Sequence, residues 1–413
     1  MTSFSIQNFG CRVNQAEAFS WAEEFEAKGL RQEEDPARAD VVIVNTCTLT
    51  RKADTDVRKF IRKISRVNPE AKLVIAGCSV DSGQLESETI PREWLLLSND
   101  QKESLTSRVL AEVNGSEEVV FRPWRSRALL KVQDGCDLRC TFCIIPHVRG
   151  KSRSFGRDEV LSRARKFVDQ GFKEIVLCGI HLSSYGRDLR PEASLLGLLQ
   201  ALAAIEGMCR VRLSSLDPRF LDEALGNFLT SSPNICPHFH LSLQHGSDRI
   251  LRLMGRSSRV SEYVRILSRL REGSPAAALG ADIICGFPGE SDEDFAGLHD
   301  FLMNSPLNYF HVFSYSPRPR TPAESWPHVG EDLKRERSAL LRTLSEEKRR
   351  AFRLSFLGRE LDGIVVKKNG GAGEVLTSNY IDVCVPYCAN GLREEVRVRV
   401  TQVEEKLTRG EIK

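Results

Sequence analysis

The run ALLKVQDGCDLRCTFC, residues 128–143, decides how the rest of the chain is read. It begins as an apolar strand and breaks at a glycine. The turn that follows carries Cys136, Cys140 and Cys143 in the spacing C-x3-C-x2-C. Three soft thiolates on one loop suit either an iron-sulfur cubane or zinc. A cubane would be gripped at three irons with the fourth left open. Zinc would need a fourth ligand, for which His147 is the local candidate.

Downstream the same strand type returns as KEIVLCG, CRVRLSS, HFHLSLQ, ALGADIICG and YFHVFSYS. Helical stretches over 158–170, 195–205, 220–229, 260–270 and 292–303 separate them. Six strands, each but the last followed by a helix, predict an open partial (β/α)6 barrel with its active face on the loops after the strands. Cys178, Cys209, Cys236 and Cys285 lie in or beside these strands and read as core thiols.

Upstream, strands are expected over 4–9, in ADVVIVNTC and in AKLVIAGC, with helices over 16–28 and 54–67. This βαβ rhythm predicts an open parallel α/β sheet. Each strand ends at a cysteine, Cys11, Cys47 or Cys78. Ligand groups collect at the carboxyl edge of such sheets, so three thiols from distant sequence are expected to meet there. Taken singly, each is a core thiol.

Beyond SPRPRTPAESWP an amphipathic charged helix is expected over 331–356. GIVVKK, GEVLTS, YIDVCVP and EEVRVRVTQV then predict a small all-β barrel, with GGAG at 370–373 as a hairpin turn rather than a phosphate cradle. The expected domains are 1–112, 122–352 and 355–413.

Charge and composition narrow the function. The chain holds 41% hydrophobic and 28% charged residues, and no stretch is long and apolar enough for a membrane span. The N-terminus lacks the pattern of an export signal, which predicts a cytoplasmic protein. Its 12 cysteines therefore read as ligands or core residues rather than disulfides. Net charge is only +3, but residues 122–166 hold twelve Lys/Arg against four Asp/Glu. Arg149, Lys151, Arg153 and Arg157 fall in a run without any acid, a candidate phosphate track for RNA. From Leu357 onward nine basic and nine acidic residues balance, so an RNA role for the tail needs Lys367, Lys368, Arg393, Arg397 and Arg399 on one face. No Walker A, G-x-G-x-x-G or H-E-x-x-H motif occurs, and no Ser/His/Asp constellation suggests itself.

CDLRCTFC followed by IIPHVRGKSRS resembles the radical S-adenosyl-L-methionine (SAM) loop of the methylthiotransferases. FGCRVNQAEA, VNTCTLTRKADTDVRK and IAGCSV resemble that family's N-terminal domain, and the β-rich tail resembles its RNA-binding TRAM barrel. The resemblance spans nearly the whole chain. It implies two 4Fe-4S clusters, an auxiliary one on Cys11, Cys47 and Cys78 and one on Cys136, Cys140 and Cys143 whose open iron takes SAM. It matches Phe142 to the aromatic of the SAM loop. CGIHLSSYG, RLSSLDP, HLSLQHGSDRILRLMGR and GADIICGFPGESDEDF resemble the SAM-contacting strand ends, with Ser214, Gln244 and Asp282 as polar candidates.

The activity implied uses SAM twice, once to methylate a cluster-bound sulfur and once to yield a 5′-deoxyadenosyl radical that abstracts hydrogen from carbon. No side chain is expected to act as catalytic base. GCRVNQAEA and NTCTLT resemble the branch that modifies N6-threonylcarbamoyladenosine beside the tRNA anticodon. The alternatives are the branches acting on N6-isopentenyladenosine or on a ribosomal-protein aspartate. From another class, a non-catalytic iron-sulfur or zinc RNA-binding protein would not need both cysteine sets. The expected partners are the tRNA anticodon stem-loop and a flavodoxin or ferredoxin reducing system, with the chain a monomer.

Overall fold

Val41 to Thr46 is buried at every position, as a strand covered on both faces must be. Val41 and Ile43 pack with Phe4, Trp21 and Phe25 on one side. Val42 and Val44 pack with Val57, Ile61 and Ile64 on the other. This alternation makes the strand the centre of a five-stranded parallel sheet. Its members are β1 (Ser3–Asn8), β2 (Arg31–Gln32), β3 (Val41–Thr46), β4 (Lys72–Gly77) and β5 (Leu95–Leu97), in the order β2-β1-β3-β4-β5. Helix Arg12–Ala27 covers one face and helix Arg51–Val67 the other. The second is started by Thr50, whose hydroxyl accepts from Ala53 N at 3.2 Å.

The computed structural model describes residues 2–83, 85, 94–111, 113 and 125–413. The expected boundaries at 112 and 122 lie outside the described residues. The chain forms two compact units. The first is Met1–Trp124 with Asp134–Ser152 and Ser316–Glu324; the second is Arg125–Gln133 with Arg153–Tyr315 and Ser325–Lys413.

In the second unit, but for Asp134 at the end of β6, β6 (Ala128–Asp134), β7 (Arg153–Ser154), β8 (Glu174–Gly179) and β9 (Arg210–Leu213) form a sheet in the order β7-β6-β8-β9. β10 (His238–Gln244), β11 (Ala278–Cys285) and β12 (Tyr309–Ser314) form a second. A parallel bridge from Leu216 to Leu241 links them. The six expected strands thus form an open partial barrel, and the short edge strand β7 is an addition to the expectation. Cys178, Cys236 and Cys285 are buried core thiols as expected. Cys209 is a correction: it sits half-buried just before β9, beside the Gly207 carbonyl.

The tail closes into a barrel of β13 (Glu360–Asn369), β14 (Ala372–Thr377), β15 (Asp382–Val385), β16 (Glu395–Val403) and β17 (Thr408–Ile412), ordered β13-β14-β15-β17-β16. Four strands were expected. TRGEI escapes because its buried positions are a threonine and a glycine. Gly370 and Gly371 turn the β13–β14 hairpin with φ of 56° and 94°. This barrel is seated at the amino ends of the α/β strands. There Arg212 is buried and donates to both oxygens of Glu174 at 2.7 and 2.9 Å and to the Ser378 carbonyl at 3.1 Å. Tyr380 stacks on His238 with ring centroids 3.9 Å apart.

Candidate cluster sites and the barrel mouth

β1, β3 and β4 are neighbours running the same way, and Asn8 pairs with Asn45 while Thr46 pairs with Gly77. Their next residues leave the sheet at one edge. Cys11 caps helix Arg12–Ala27, Cys47 follows β3 directly, and Cys78 opens a short helix after β4. The approach is close enough to demand a glycine. A Cβ on Gly10 would stand 2.4 Å from Cys47 Cβ and 2.7 Å from its Sγ, and Gly10 adopts φ of +113°. Burial and the neighbouring Cys11 and Cys78 push the Cys47 thiol up to about 12, and burial raises Cys11 as well, against the pull of Arg149.

The loop after β6 lies in the same unit. Gly135 has φ of +67°, and a Cβ there would strike the Lys151 carbonyl at 1.9 Å. Cys136 N donates to Gly150 O at 3.1 Å and Cys143 N to Cys140 O at 3.0 Å, so the loop is a closed turn. Cys136 and Cys140 are buried; Cys143 and Phe142 are partly exposed, and His147 is exposed. Cys78 packs against Ile144 and Val148 of this loop. Asn99 donates to Val148 O at 2.7 Å and reaches Cys78 Sγ at 3.6 Å.

Arg149 corrects the sequence reading. Its side chain is 1% exposed and spans Glu17 Oε1 at 3.0 Å, Asp134 Oδ1 at 2.9 Å and Asn14 Oδ1 at 2.6 Å. It is therefore no part of a surface phosphate track. A run without acids hid this, because both carboxylates come from outside the run. Lys102 completes the network at 2.6 Å from Glu17 Oε2. Lys151, Arg153, Arg157, Lys367 and Lys368 are exposed. Arg397 and Arg399 pair with Asp362 and Glu360 at 3.3 and 3.2 Å, and Arg393 lies 4.6 Å over the Phe172 ring, so the tail's five cations do not form one free face.

Across the α/β barrel, Ser214 directly follows β9, and its Oγ is buried without a hydrogen-bond partner. Gln244 ends β10 with φ of +74°. Asp282 sits deeper, within β11. There His240 Nε2 is 3.6 Å from Oδ1, His311 is its neighbour on β12, and burial pushes the carboxyl up to about 6 against the pull of His311. Two carboxylates missed in the sequence brace the strand ends. Glu290 holds Gly286 N at 2.8 Å, His245 at 3.2 Å and Arg337 at 2.6 Å. Asp217 holds Arg256 at 3.0 Å and Arg219 at 2.6 Å, and such donors keep it ionised.

Residues 130–302 match the Radical SAM superfamily, and residues 3–95 match Uncharacterized protein family UPF0004. The chain is 37% identical to the threonylcarbamoyladenosine tRNA methylthiotransferase MtaB of Aquifex aeolicus, over 92% of this chain and 95% of the relative. It is 32% identical to the MtaB of Chlamydia pneumoniae, over 99% and 98%. The chain belongs to the threonylcarbamoyladenosine tRNA methylthiotransferase family. The fold agrees with the solved radical SAM methyltransferase TsrM of Kitasatospora setae, with a TM-score of 0.58 at 13% identity over 78% of this chain and 75% of that one.

Both cysteine sets fit the clusters that family membership implies. Among the described residues no three His, Cys, Asp or Glu side chains are gathered as tightly as a single metal ion requires. A cubane takes its thiolates at separate corners and asks for a wider set. At the first set, Gly10 lets Cys47 approach where any side chain would collide with its Cβ and Sγ, and Arg149 Nε is buried with its N–H unspent.

Proposed function

We propose that this chain converts N6-threonylcarbamoyladenosine at position 37 of tRNA, beside the anticodon, to its 2-methylthio derivative. The observation that carries this reading is the presence of two three-cysteine sets in one compact unit, in a chain whose relatives bear that activity in their names. Two 4Fe-4S clusters, with two molecules of SAM, would supply the hydrogen-abstracting radical and the methylthio group.

The chain's own residues bind and orient. Cys11, Cys47 and Cys78 would hold one cluster, and Cys136, Cys140 and Cys143 the other. Ser214 Oγ, an unspent buried hydroxyl at the end of β9, would receive a polar group of SAM, with Gln244 at the end of β10, and Phe142 would be the aromatic of the SAM loop. Asp282, within β11, has its carboxyl raised by burial to about 6, so at neutral pH it would be largely ionised and would accept a hydrogen bond from SAM. Lys151, Arg153, Arg157, Lys367 and Lys368 would take the phosphates of the anticodon stem-loop, a role in which Arg149 has no part. In sequence, the three domains of this reading would span 1–112, 122–352 and 355–413. The protein would act as a cytoplasmic monomer reduced by a flavodoxin or ferredoxin system. Among the described residues no helix is long and apolar enough to cross a membrane.

The test is mass spectrometry of tRNA nucleosides from a strain lacking the chain and from the same strain complemented. The methylthio form of threonylcarbamoyladenosine should vanish and return, with its unmodified precursor accumulating in the deletion. A change confined to isopentenyladenosine, or to no nucleoside, overturns the reading.

A further inference from the structure

One guanidinium of the first unit bonds to groups beside both cysteine sets. Arg149 Nη2 donates to Asn14 Oδ1 at 2.6 Å, and the same oxygen receives Cys11 Sγ at 3.5 Å. Arg149 Nη1 reaches Asp134, two residues before Cys136, at 2.9 and 3.0 Å. Asn14 in turn donates to Phe9 O at 3.0 Å and Thr46 O at 2.8 Å, the backbone leading into Cys11 and Cys47. The network is balanced, with Arg149 and Lys102 against Glu17 and Asp134. Of these four groups, Arg149 is the cation that meets the partner of Cys11. Its Nε is buried without an acceptor.

We propose that Arg149 is a positioning residue that fixes the spacing of the two clusters and raises the reduction potential of the one on Cys11, Cys47 and Cys78. This rests on the two-cluster reading above. A buried positive charge favours the more negative, reduced state of a nearby cluster, and an N–H directed at its sulfur acts in the same sense. The planar guanidinium, with Nη1 on both oxygens of Asp134 and Nη2 on Asn14, fixes geometry that a point charge on a flexible stem does not.

The experiment uses the full-length protein, reconstituted anaerobically with iron and sulfide. Cys136, Cys140 and Cys143 are changed to Ala so that the first cluster is read alone. In an EPR-monitored redox titration, Arg149→Gln should lower the reduced-to-oxidised ratio at fixed potential at least tenfold, about 59 mV for a one-electron couple. Arg149→Lys should keep the potential. With all six cysteines present, the same Lys substitution should change the magnetic coupling between the two reduced clusters, which a merely structural role would leave alone.

Arg149→Gln strands buried carboxylates. If that protein does not fold, Asp134→Asn with Arg149→Gln is titrated instead, since it leaves the Glu17–Lys102 pair intact, and the same shift is expected. An unshifted potential, or unchanged coupling with Lys, overturns the proposal. A parent with no iron left after loss of the Cys136 set overturns the two-cluster reading instead.

Discussion

Arg318 and Asp54 form a buried ion pair: Nη1 lies 2.5 Å from Oδ2, and both side chains are 3% exposed. The same Nη1 donates to Thr48 O at 3.0 Å, next to Cys47, and Ala323 N donates to Thr141 O at 2.9 Å, next to Cys140. The proline-rich segment Ser316–Glu324 thus braces both cysteine loops from within their own unit. Removing one partner of such a pair strands the other. Arg318→Met should cost about 3–5 kcal/mol in urea unfolding, and adding Asp54→Leu should recover most of it. Additive losses in the double variant would contradict the pairing.

Gly10→Ala should empty the first cluster site and spare the second, because the new Cβ would stand 2.4 Å from Cys47 Cβ on a backbone of φ +113°. Iron after reconstitution should fall from about eight to about four per chain. Gly83→Ala, at φ +68° with nothing within 4 Å, should keep the iron at a cost of about 1 kcal/mol.

Burial raises Asp282 from 3.8 to about 6 in the folded protein. Between those values the folded state holds a proton that the unfolded state has released. Stability from this group is therefore complete below pH 4 and declines as pH rises through about 6. Measured from pH 4 to 7, the melting temperature of Asp282→Asn relative to wild type should rise with pH. A difference that is flat with pH would contradict the raised carboxyl.

Arg212→Ala should loosen the small β-barrel, since the guanidinium joins Glu174 to the carbonyls of Thr377 and Ser378. Loss of this buried partner should cost about 3–5 kcal/mol. Limited proteolysis should then cut between helix Glu331–Leu354 and β13 faster than in wild type.

Lys151→Ala should weaken tRNA binding and lower the salt slope of log affinity by about 1, the release of one phosphate contact. Filter binding from low to moderate salt measures it. An unchanged slope would remove Lys151 from the RNA path.

Much of this was legible in the chain. Buried strands such as VVIVNT announce themselves through unbroken apolar runs, and the cysteines that follow them inherit a common edge. The Arg149 network was not legible. Charge along a sequence says nothing about which carboxylates, here Glu17 and Asp134, fold back onto it from 132 and 15 residues away. β17 was missed because Thr408 and Gly410 bury too little apolar surface to mark a strand. Glu290 and Asp217 sit in turns where acids are ordinary, and only their buried partners reveal them.

One chain should hold two separate clusters, one on each cysteine set. The direct measurement is iron per chain after anaerobic reconstitution of wild type, of Cys11/Cys47/Cys78→Ala and of Cys136/Cys140/Cys143→Ala. Wild type should carry about eight irons and each variant about four. Four irons in wild type, unchanged when the first set is removed, would contradict it and leave a single-cluster enzyme without methylthio transfer.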